Sequence, residues 1–435
     1  MSDWNIKLLE EYDEKISVLA KAHGLDWFPI QYEVCDYYSM IGHMAYHGMP
    51  TYYGHWSFGK SFEMIHGKYN AGATGLPYEL IINSDPSIAY LMRDNPAHLQ
   101  LLIMCHCVGH SDFFKNNRMF KHTSPETVVM RFRNAKKRIK KYIEDVDIGV
   151  REVEKTLDAA HAIQFQVNKF NMKKLTDVEL RQKYTDVMNN DTTGTWKDFE
   201  INKIPLEPDH DLLQFIAKYS RKLKPWQRDL LEIVHEHAMY FIPQMQTKIM
   251  NEGFACWTHY KLMHELDLEQ KYHIPFLKSH NQVVRPHLGA INPYHLGFHL
   301  MNKIEERHGK EEVLLARETA YDSSFISRYL LQEDCEELGL FTYSKKKRDT
   351  TVDDVSDEDG WKRVRDDLAQ SVGGGTLPVI YADEITRDYA LVLRHAHDGR
   401  DLELDYADAC VKHIRYLWGD DIKLYTVIED EQWEF

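Results

Sequence analysis

The spacing of hydrophobic and polar residues predicts that most of the chain is helical. Apolar residues recur with helical spacing over residues 4–22, and the pattern stops near Gly24. Residues 97–117 contain the apolar run Leu99 to Met104 and are predicted to form a largely buried helix. Proline is favoured in the first helical turn, where its missing N–H is not needed. Further predicted helices begin at Pro125 (to residue 165), Pro225 (to 241), Pro243 (to 266) and Pro293.

The pattern changes near the C-terminus. Segments 378–385 and 389–395 resemble β-strands, residues 402–418 resemble a helix, and residues 422–427 resemble another strand. This order predicts a small ββαβ unit after a mainly helical region.

A charged stretch separates these two regions and suggests a domain boundary. A basic cluster begins at Lys345, and acidic residues follow from Asp353 to Asp359. We therefore predict a mainly α, multi-helix domain over 1–345, a charged linker over 346–372 and a small C-terminal α+β domain over 373–435.

Composition and charge exclude several classes of protein. The chain has 435 residues and a formal net charge of −15, and a negative field repels nucleic-acid phosphates, so nucleic-acid binding is not expected. Residues 1–19 lack the basic and apolar regions of a signal peptide, and no window is apolar enough for a membrane span. The six cysteines form no CxxC pair, which is typical of reduced core thiols. These features predict a cytoplasmic protein.

Residues 54–61 match the expression of a phosphate-binding loop, G-x-x-x-x-G-K-[ST]. A working loop of this kind follows a buried strand, whereas the residues before Gly54 make a poor strand and no βα series follows. We therefore expect no nucleotide and interpret the segment as a packed aromatic turn with Trp56 and Phe58 in the core.

Histidine spacing suggests a metal site. His106 and His110 lie four residues apart, on one face of the predicted buried helix, as in zinc-binding helices. The spacing alone proves little, because His43/His47 and His295/His299 share it. The apolar surroundings of His106 and His110 distinguish them, because buried imidazoles need a partner for each ring nitrogen.

The helix predicted after Pro243 carries ionisable groups in an apolar row. Glu252 and His259 share one stripe with Cys256, and a buried carboxylate is costly unless it is paired or bound to a metal. His106, His110, Glu252 and His259 are therefore the predicted metal ligands, and zinc is the transition metal that best suits them. An entirely structural polar network remains the alternative.

A general base would have to come from elsewhere in the chain. Cys107 stands where zinc peptidases of the H-E-x-x-H type carry their glutamate. Glu33 and Glu79 both lie among apolar residues and are the candidate bases. Each could instead be a carboxylate paired within a partly buried network.

Several long segments resemble the SpoVR (stage V sporulation protein R) family over residues 20 to 425. These segments are Tyr53–Lys60, Leu80–Ser84, His106–Asn117, Pro243–Gly253, Asn292–Tyr294, Gly373–Gly375 and His395–Leu402. The resemblance implies a bacterial protein associated with formation of the spore cortex, or with a stress response linked to a serine protein kinase system. It implies no particular biochemical activity.

Two hypotheses follow. In the first, the protein is a metal-dependent, hydrolase-like enzyme that uses the residues named above. In the second, it is a non-catalytic regulatory or scaffold protein of spore envelope assembly, whose polar core is structural and whose small terminal domain binds a protein partner.

Overall fold

The computed structural model describes residues 3–71, 79–170, 174–197, 199–287, 290–346 and 349–435. The α-helices in these ranges are α1 Ile6–Ala22, α2 Tyr37–Ala45, α3 Trp56–Asn70, α4 Ala97–Asn116, α5 Val128–Glu144, α6 Gly149–Ala162, α7 Asp177–Asn189, α8 Leu212–Tyr219, α9 Pro225–Gln246, α10 Lys248–Glu265, α11 Gln270–Val283, α12 Pro293–His308, α13 Lys310–Thr319, α14 Asp322–Tyr329, α15 Gln332–Glu337, α16 Trp361–Ser371 and α17 Leu404–Trp418. The strands are β1 Ile30–Cys35, β2 Glu79–Ile82, β3 Ser87–Met92, β4 Phe341–Lys346, β5 Asp349–Val355, β6 Ile380–Ile385, β7 Leu391–His395, β8 Ile422–Ile428 and β9 Glu431–Glu434.

The chain divides into two compact units. The first contains the described residues up to Lys136 together with Pro243–Thr376, and the second contains Lys137–Ile242 with Leu377–Phe435. The predicted fold class is confirmed, because helices dominate the described chain and the C-terminal strands form a small mixed sheet with one helix.

Helix α10 lies at the centre of the first unit, and its neighbours approach it unusually closely. All residues from Ile249 to His259 are buried, as expected for a helix surrounded by others. A Cβ atom on Gly109 of α4 would lie only 2.8 Å from the Cα of Ala255. On the other side, a Cβ atom on Gly253 would lie 2.3 Å from the carbonyl carbon of Gly297 in α12. These glycines let the backbones of α4 and α12 approach α10 directly.

A three-stranded sheet of order β1-β3-β2 packs beside α4. Strand β1 runs parallel to β3, and β2 runs antiparallel to it. Glu79 pairs with Leu91, whereas Glu33 pairs with Tyr90. Neighbouring residues of a strand point to opposite faces, and cross-strand partners share a face. Because Leu91 belongs to the core formed with α4, Glu79 faces α4 and Glu33 faces away from it.

The second unit contains a four-stranded sheet of order β6-β7-β8-β9. The β6/β7 and β8/β9 pairs are antiparallel, and β7 and β8 are parallel and are connected through α17. This is the predicted ββαβ unit, extended by one further strand, β9.

Two of the predicted helices have different boundaries in the structure. The segment expected to be one helix from 125 to 165 forms α5 and α6, which are separated by residues 145–148. Gly149, the first residue of α6, has a φ of +77°. Glycine readily adopts such a left-handed conformation, which lets the chain turn before α6 continues. Pro243 does not begin a helix but lies inside α9. It lies in the last turn of α9, and α10 begins only at Lys248.

The segment predicted as a linker contains regular structure. Residues 349–355 form β5, and Trp361–Ser371 form α16, whose Leu368 and Ala369 belong to the core of the first unit. The division into 1–345, 346–372 and 373–435 stays a prediction.

The segment that matches a phosphate loop is largely helical. Helix α3 begins at Trp56, so Gly59, Lys60 and Ser61 lie inside a helix, where backbone amides bond to the preceding turn. Phe58 is buried as expected, whereas Trp56 is 51% exposed and does not belong to the core. Within the described ranges, no helix combines the length and the apolar character needed to cross a membrane.

Candidate metal site

Three elements of the first unit bring four predicted site residues together. Helix α4 presents His106 and His110 from successive turns, with ring centroids 4.5 Å apart. Helix α10 contributes Glu252, whose Oε2 lies 3.6 Å from His106 Nε2 and 3.3 Å from His110 Nε2. Strand β2 contributes Glu79, whose Oε1 lies 3.7 Å from His106 Nε2.

The spacing of these atoms suits a small metal ion. Zinc binds imidazole nitrogen and carboxylate oxygen at about 2.0–2.1 Å, so the ligands of a tetrahedral ion lie about 3.3–3.4 Å apart. The observed separations of 3.3, 3.6 and 3.7 Å are close to that value. They are longer than ordinary hydrogen bonds between nitrogen and oxygen.

Two of the four atoms lack a hydrogen-bond partner among the described residues. His106 Nε2 and Glu252 Oε2 are both buried and accept or donate no hydrogen bond there. Their residues are only 3% and 6% exposed. Buried polar groups are normally satisfied, and an unpaired one costs about 1–3 kcal/mol, more when it is charged. An ion bound between these atoms would satisfy both of them.

The electrostatics of the cluster favour positive charge between the two carboxylates. Burial alone would raise the pKa of Glu252, but Lys248 and the imidazoles of His106 and His110 hold it well below its ordinary value. Burial alone would lower the pKa of His110, yet Glu252, Asn251 and Glu79 hold it above its ordinary value. The cluster thus keeps Glu252 ionised and attracts a cation to His110 Nε2.

Neighbouring groups orient the ligands. Asn251 Oδ1 lies 2.8 Å from His110 Nδ1, so that nitrogen donates and a neutral His110 offers the lone pair of Nε2. Lys248 binds the other oxygen of Glu252, Oε1, and leaves Oε2 facing the histidines. Support of this kind is usual around metal ligands.

Asp322 fixes the start of α10. Its two carboxylate oxygens accept hydrogen bonds from the backbone amides of Ile249 and Met250, each at 2.9 Å. A carboxylate at this position satisfies amides that the helix cannot pair itself. It therefore anchors the turn that carries Lys248 and Glu252.

His259 lies behind His106 rather than beside Glu252. Its Nδ1 is 2.9 Å from His106 Nδ1, and its Nε2 is 2.8 Å from His280 Nδ1. Both ring nitrogens therefore lie within hydrogen-bond distance of other imidazoles, and metal binding by His259 stays a prediction.

The described residues contain two groups that could hold a metal ion, and they share His106. The first is Glu79, His106 and His110, and the second is His106, Cys256 and His259; within each group the donor atoms lie within 4.8 Å of one another. Burial, together with the nearby carboxylates, raises the pKa of the Cys256 thiol well above its ordinary value. Only the first group can be extended by Glu252 in the same way, because Glu252 Oε2 lies 3.6 Å from His106 Nε2 and 3.3 Å from His110 Nε2.

Glu33 is not brought to this cluster. It is exposed on β1, on the face of the sheet that carries Tyr90, and it accepts a hydrogen bond from Gln31 at 3.2 Å. Of the two candidate bases, the structure places only Glu79 next to the histidines.

Sequence reasoning missed four residues around the site: Lys248, Asn251, His280 and Tyr294. Lys248 and Asn251 had a local signal, because they lie four and one residues before Glu252. His280 and Tyr294 come from α11 and α12, and no spacing in the sequence connects them to His106. The rings of His106 and Tyr294 are nevertheless stacked, with centroids 6.3 Å apart.

Comparison with known proteins places the chain in a family. A family model described as SpoVR like protein matches residues 3–376, and a model described as SpoVR-like C-terminal domain matches residues 379–429. YcgB of Escherichia coli (strain K12), described as an uncharacterized protein, is 32% identical over 480 residues, which cover 98% of this chain and 93% of YcgB. No solved structure matches the chain. The two family matches, which together span nearly all of the sequence, show that this chain belongs to the SpoVR family.

Proposed function

We propose that this protein is a metal-dependent, hydrolase-like enzyme whose ligands are His106, His110 and Glu252. The observation that carries the proposal is the convergence of His106 Nε2 and His110 Nε2 on Glu252 Oε2 at metal-ligand spacing. Among the described residues, His106 Nε2 and Glu252 Oε2 are both buried without a hydrogen bond. Two histidines and one glutamate form a set that catalytic zinc ions use, with the fourth position left for water.

Charge balance supports this proposal. With neutral imidazoles, the carboxylates of Glu79 and Glu252 and the ammonium of Lys248 leave the cluster with one negative charge in excess. A buried net charge is costly, and a divalent cation would reverse its sign and attract a hydroxide or an anionic group. A bound zinc ion would supply a water of lowered pKa as the nucleophile.

Glu79 is the proposed general base. Its Oε1 lies 3.7 Å from His106 Nε2, and a base must lie within hydrogen-bond reach of the water that it deprotonates. Its side chain is 15% exposed, more than those of His106 and Glu252, so it also lies nearest to solvent among the three.

The biological setting that we propose follows from the family. A SpoVR-like enzyme would act in spore cortex formation or in a related stress response, with protein partners in spore assembly or in a serine protein kinase system. A cytoplasmic location is part of this proposal, and its substrate would then be a cytoplasmic compound, such as a cell-wall precursor.

A matched pair of substitutions tests the metal site. Untagged protein purified without chelators should contain one transition metal ion per chain, measured by elemental mass spectrometry, and Glu252→Gln should lose it. Glu305→Gln is the control, because Glu305 also pairs with a lysine, Lys261 at 2.8 Å, and accepts a hydrogen bond from Trp257 instead of facing His106 and His110 as Glu252 does. Wild-type protein that takes up no metal even after reconstitution would refute the proposal.

A non-catalytic scaffold is the second candidate. The Lys248–Glu252 pair favours it, because a protein cation already compensates the buried carboxylate. The two candidates differ in a cellular test: a folded His110→Ala variant should still complement a deletion strain if the protein is a scaffold, and should fail if it is a metal enzyme.

A further inference from the structure

Three buried imidazoles lie in series behind the proposed metal ligand. His106 Nδ1 contacts His259 Nδ1 at 2.9 Å, and His259 Nε2 contacts His280 Nδ1 at 2.8 Å. The rings belong to α4, α10 and α11, and their residues are 3%, 0% and 2% exposed. The series therefore runs from the metal site through the central helix to a third helix.

The number of protons in this series restricts which ring nitrogens can carry them. A neutral imidazole has one N–H and one lone pair. All three rings are buried, and a buried charge is costly, so each ring is counted as neutral. Each contact needs one proton between its two nitrogens. If His106 Nδ1 donates, then His259 Nε2 must donate to His280, and the remaining proton is on His280 Nε2. If His259 Nδ1 donates instead, then His280 Nδ1 must donate as well, and the remaining proton is on His106 Nε2.

Only the first arrangement leaves a lone pair on His106 Nε2, where a metal ion would bind. In the second arrangement that nitrogen carries a proton directed towards Glu252 Oε2 and Glu79 Oε1, at 3.6 and 3.7 Å. The three rings can therefore change tautomer only together, since reversing the donor and acceptor in one contact forces the same reversal in the other.

We propose that His259 and His280 are positioning residues that set the tautomer of His106, so that metal binding at His106 Nε2 and the proton on His280 Nε2 are coupled. This inference rests on the proposed metal site and adds two residues to its machinery. In the ion-free protein the second arrangement directs the Nε2 proton of His106 towards the two carboxylates. Binding of the ion displaces that proton to water, one proton moves across each of the two contacts, and His280 Nε2 takes up a proton from water.

Substitutions at His280 test the coupling through zinc affinity, measured by competition with a chromophoric chelator. His280→Leu removes the acceptor for His259 Nε2 and favours the arrangement that puts a proton on His106 Nε2. Loss of a group that supports a metal ligand typically weakens affinity about 10–100-fold, and we expect that range. His280→Asn keeps an acceptor at the position of Nδ1 and should bind zinc nearly as well as the wild type.

His98→Leu provides the matched control. His98 contacts Ser279, the neighbour of His280 on α11, at 3.4 Å, but has no part in the series. Its removal should leave zinc affinity unchanged. Equal affinities of His280→Leu and His98→Leu would overturn the inference while leaving the metal site intact.

A spectroscopic measurement on the wild type decides the question even if His280→Leu fails to fold. In protein labelled with ¹⁵N-histidine, NMR correlations distinguish the two tautomers, and His280→Asn identifies the signals of residue 280. We expect His280 to carry its proton on Nε2 with zinc bound and on Nδ1 without it. The same tautomer in both states would overturn the inference, whereas wild-type protein that binds no zinc would overturn the proposed metal site and this inference together.

Discussion

The close approach of α10 and α12 makes Gly253 the position most sensitive to a small substitution. Alanine there would place its Cβ 2.3 Å from the carbonyl carbon, 2.4 Å from the Cα and 2.7 Å from the oxygen of Gly297. All three are backbone atoms of a helix, so no side-chain rotation can relieve the clash. Gly253→Ala must therefore push the two helices apart.

The expected cost follows from these distances. Carbon atoms in contact prefer about 3.5–4.0 Å, so the backbones must separate by more than about 1 Å. Overpacking of this kind costs about 1–3 kcal/mol and occasionally more, and it is offset by the roughly 0.5–1 kcal/mol that alanine gains over glycine within a helix. We expect a net loss of about 1–2 kcal/mol in the free energy of unfolding. Zinc affinity should fall as well, because Gly253 adjoins Glu252 and α12 carries Tyr294.

The assay is urea unfolding followed by circular dichroism, beside a matched variant. Gly67→Ala makes the same change within α3, where nothing lies within 4 Å of the added Cβ. It should stabilise the protein by about 0.5–1 kcal/mol. If Gly253→Ala proved as stable as Gly67→Ala, the direct contact between the two helix backbones would be refuted.

Three further substitutions have definite expected outcomes. Asp334→Asn should cost about 3–5 kcal/mol of unfolding free energy at neutral pH, because it breaks the pair of a fully buried carboxylate with Arg307. Burial alone would raise the pKa of Asp334, but His299 and Arg307 hold it below its ordinary value. The ionised Asp334 therefore stabilises the folded protein above about pH 4, and this stabilisation is lost as the pH falls further. The urea unfolding curves of the wild type and Asp334→Asn should converge in acid. Glu33→Gln should leave zinc affinity unchanged, and a loss would contradict the placement of Glu33 on the far face of the sheet. Cys256→Ala should retain the metal in elemental analysis, whereas its loss would move the site to the thiol-containing group.

Local sequence patterns predicted many of the helices and strands. The apolar run at Leu99–Met104 predicts α4, and the alternation after residue 378 predicts the strands of the small sheet, because helical and extended backbones impose fixed side-chain periods. The same periodicity predicts that His106 and His110 share a helix face. The position of proline was a less reliable guide, because Pro243 lies within a helix and not at its start.

The sequence by itself determined which residues share an element: the two histidines of α4, and Glu252 and His259 on one stripe of α10. Only the tertiary structure decided how those elements face one another. The register of β1 and β2 against β3 separates Glu79 from Glu33, although both lie in similar apolar contexts. His280 reaches the site from α11, because packing between helices sets that position and local spacing does not. Side-chain period is a property of a single helix or strand, whereas the meeting of a carboxylate with two imidazoles depends on contacts between residues more than a hundred positions apart.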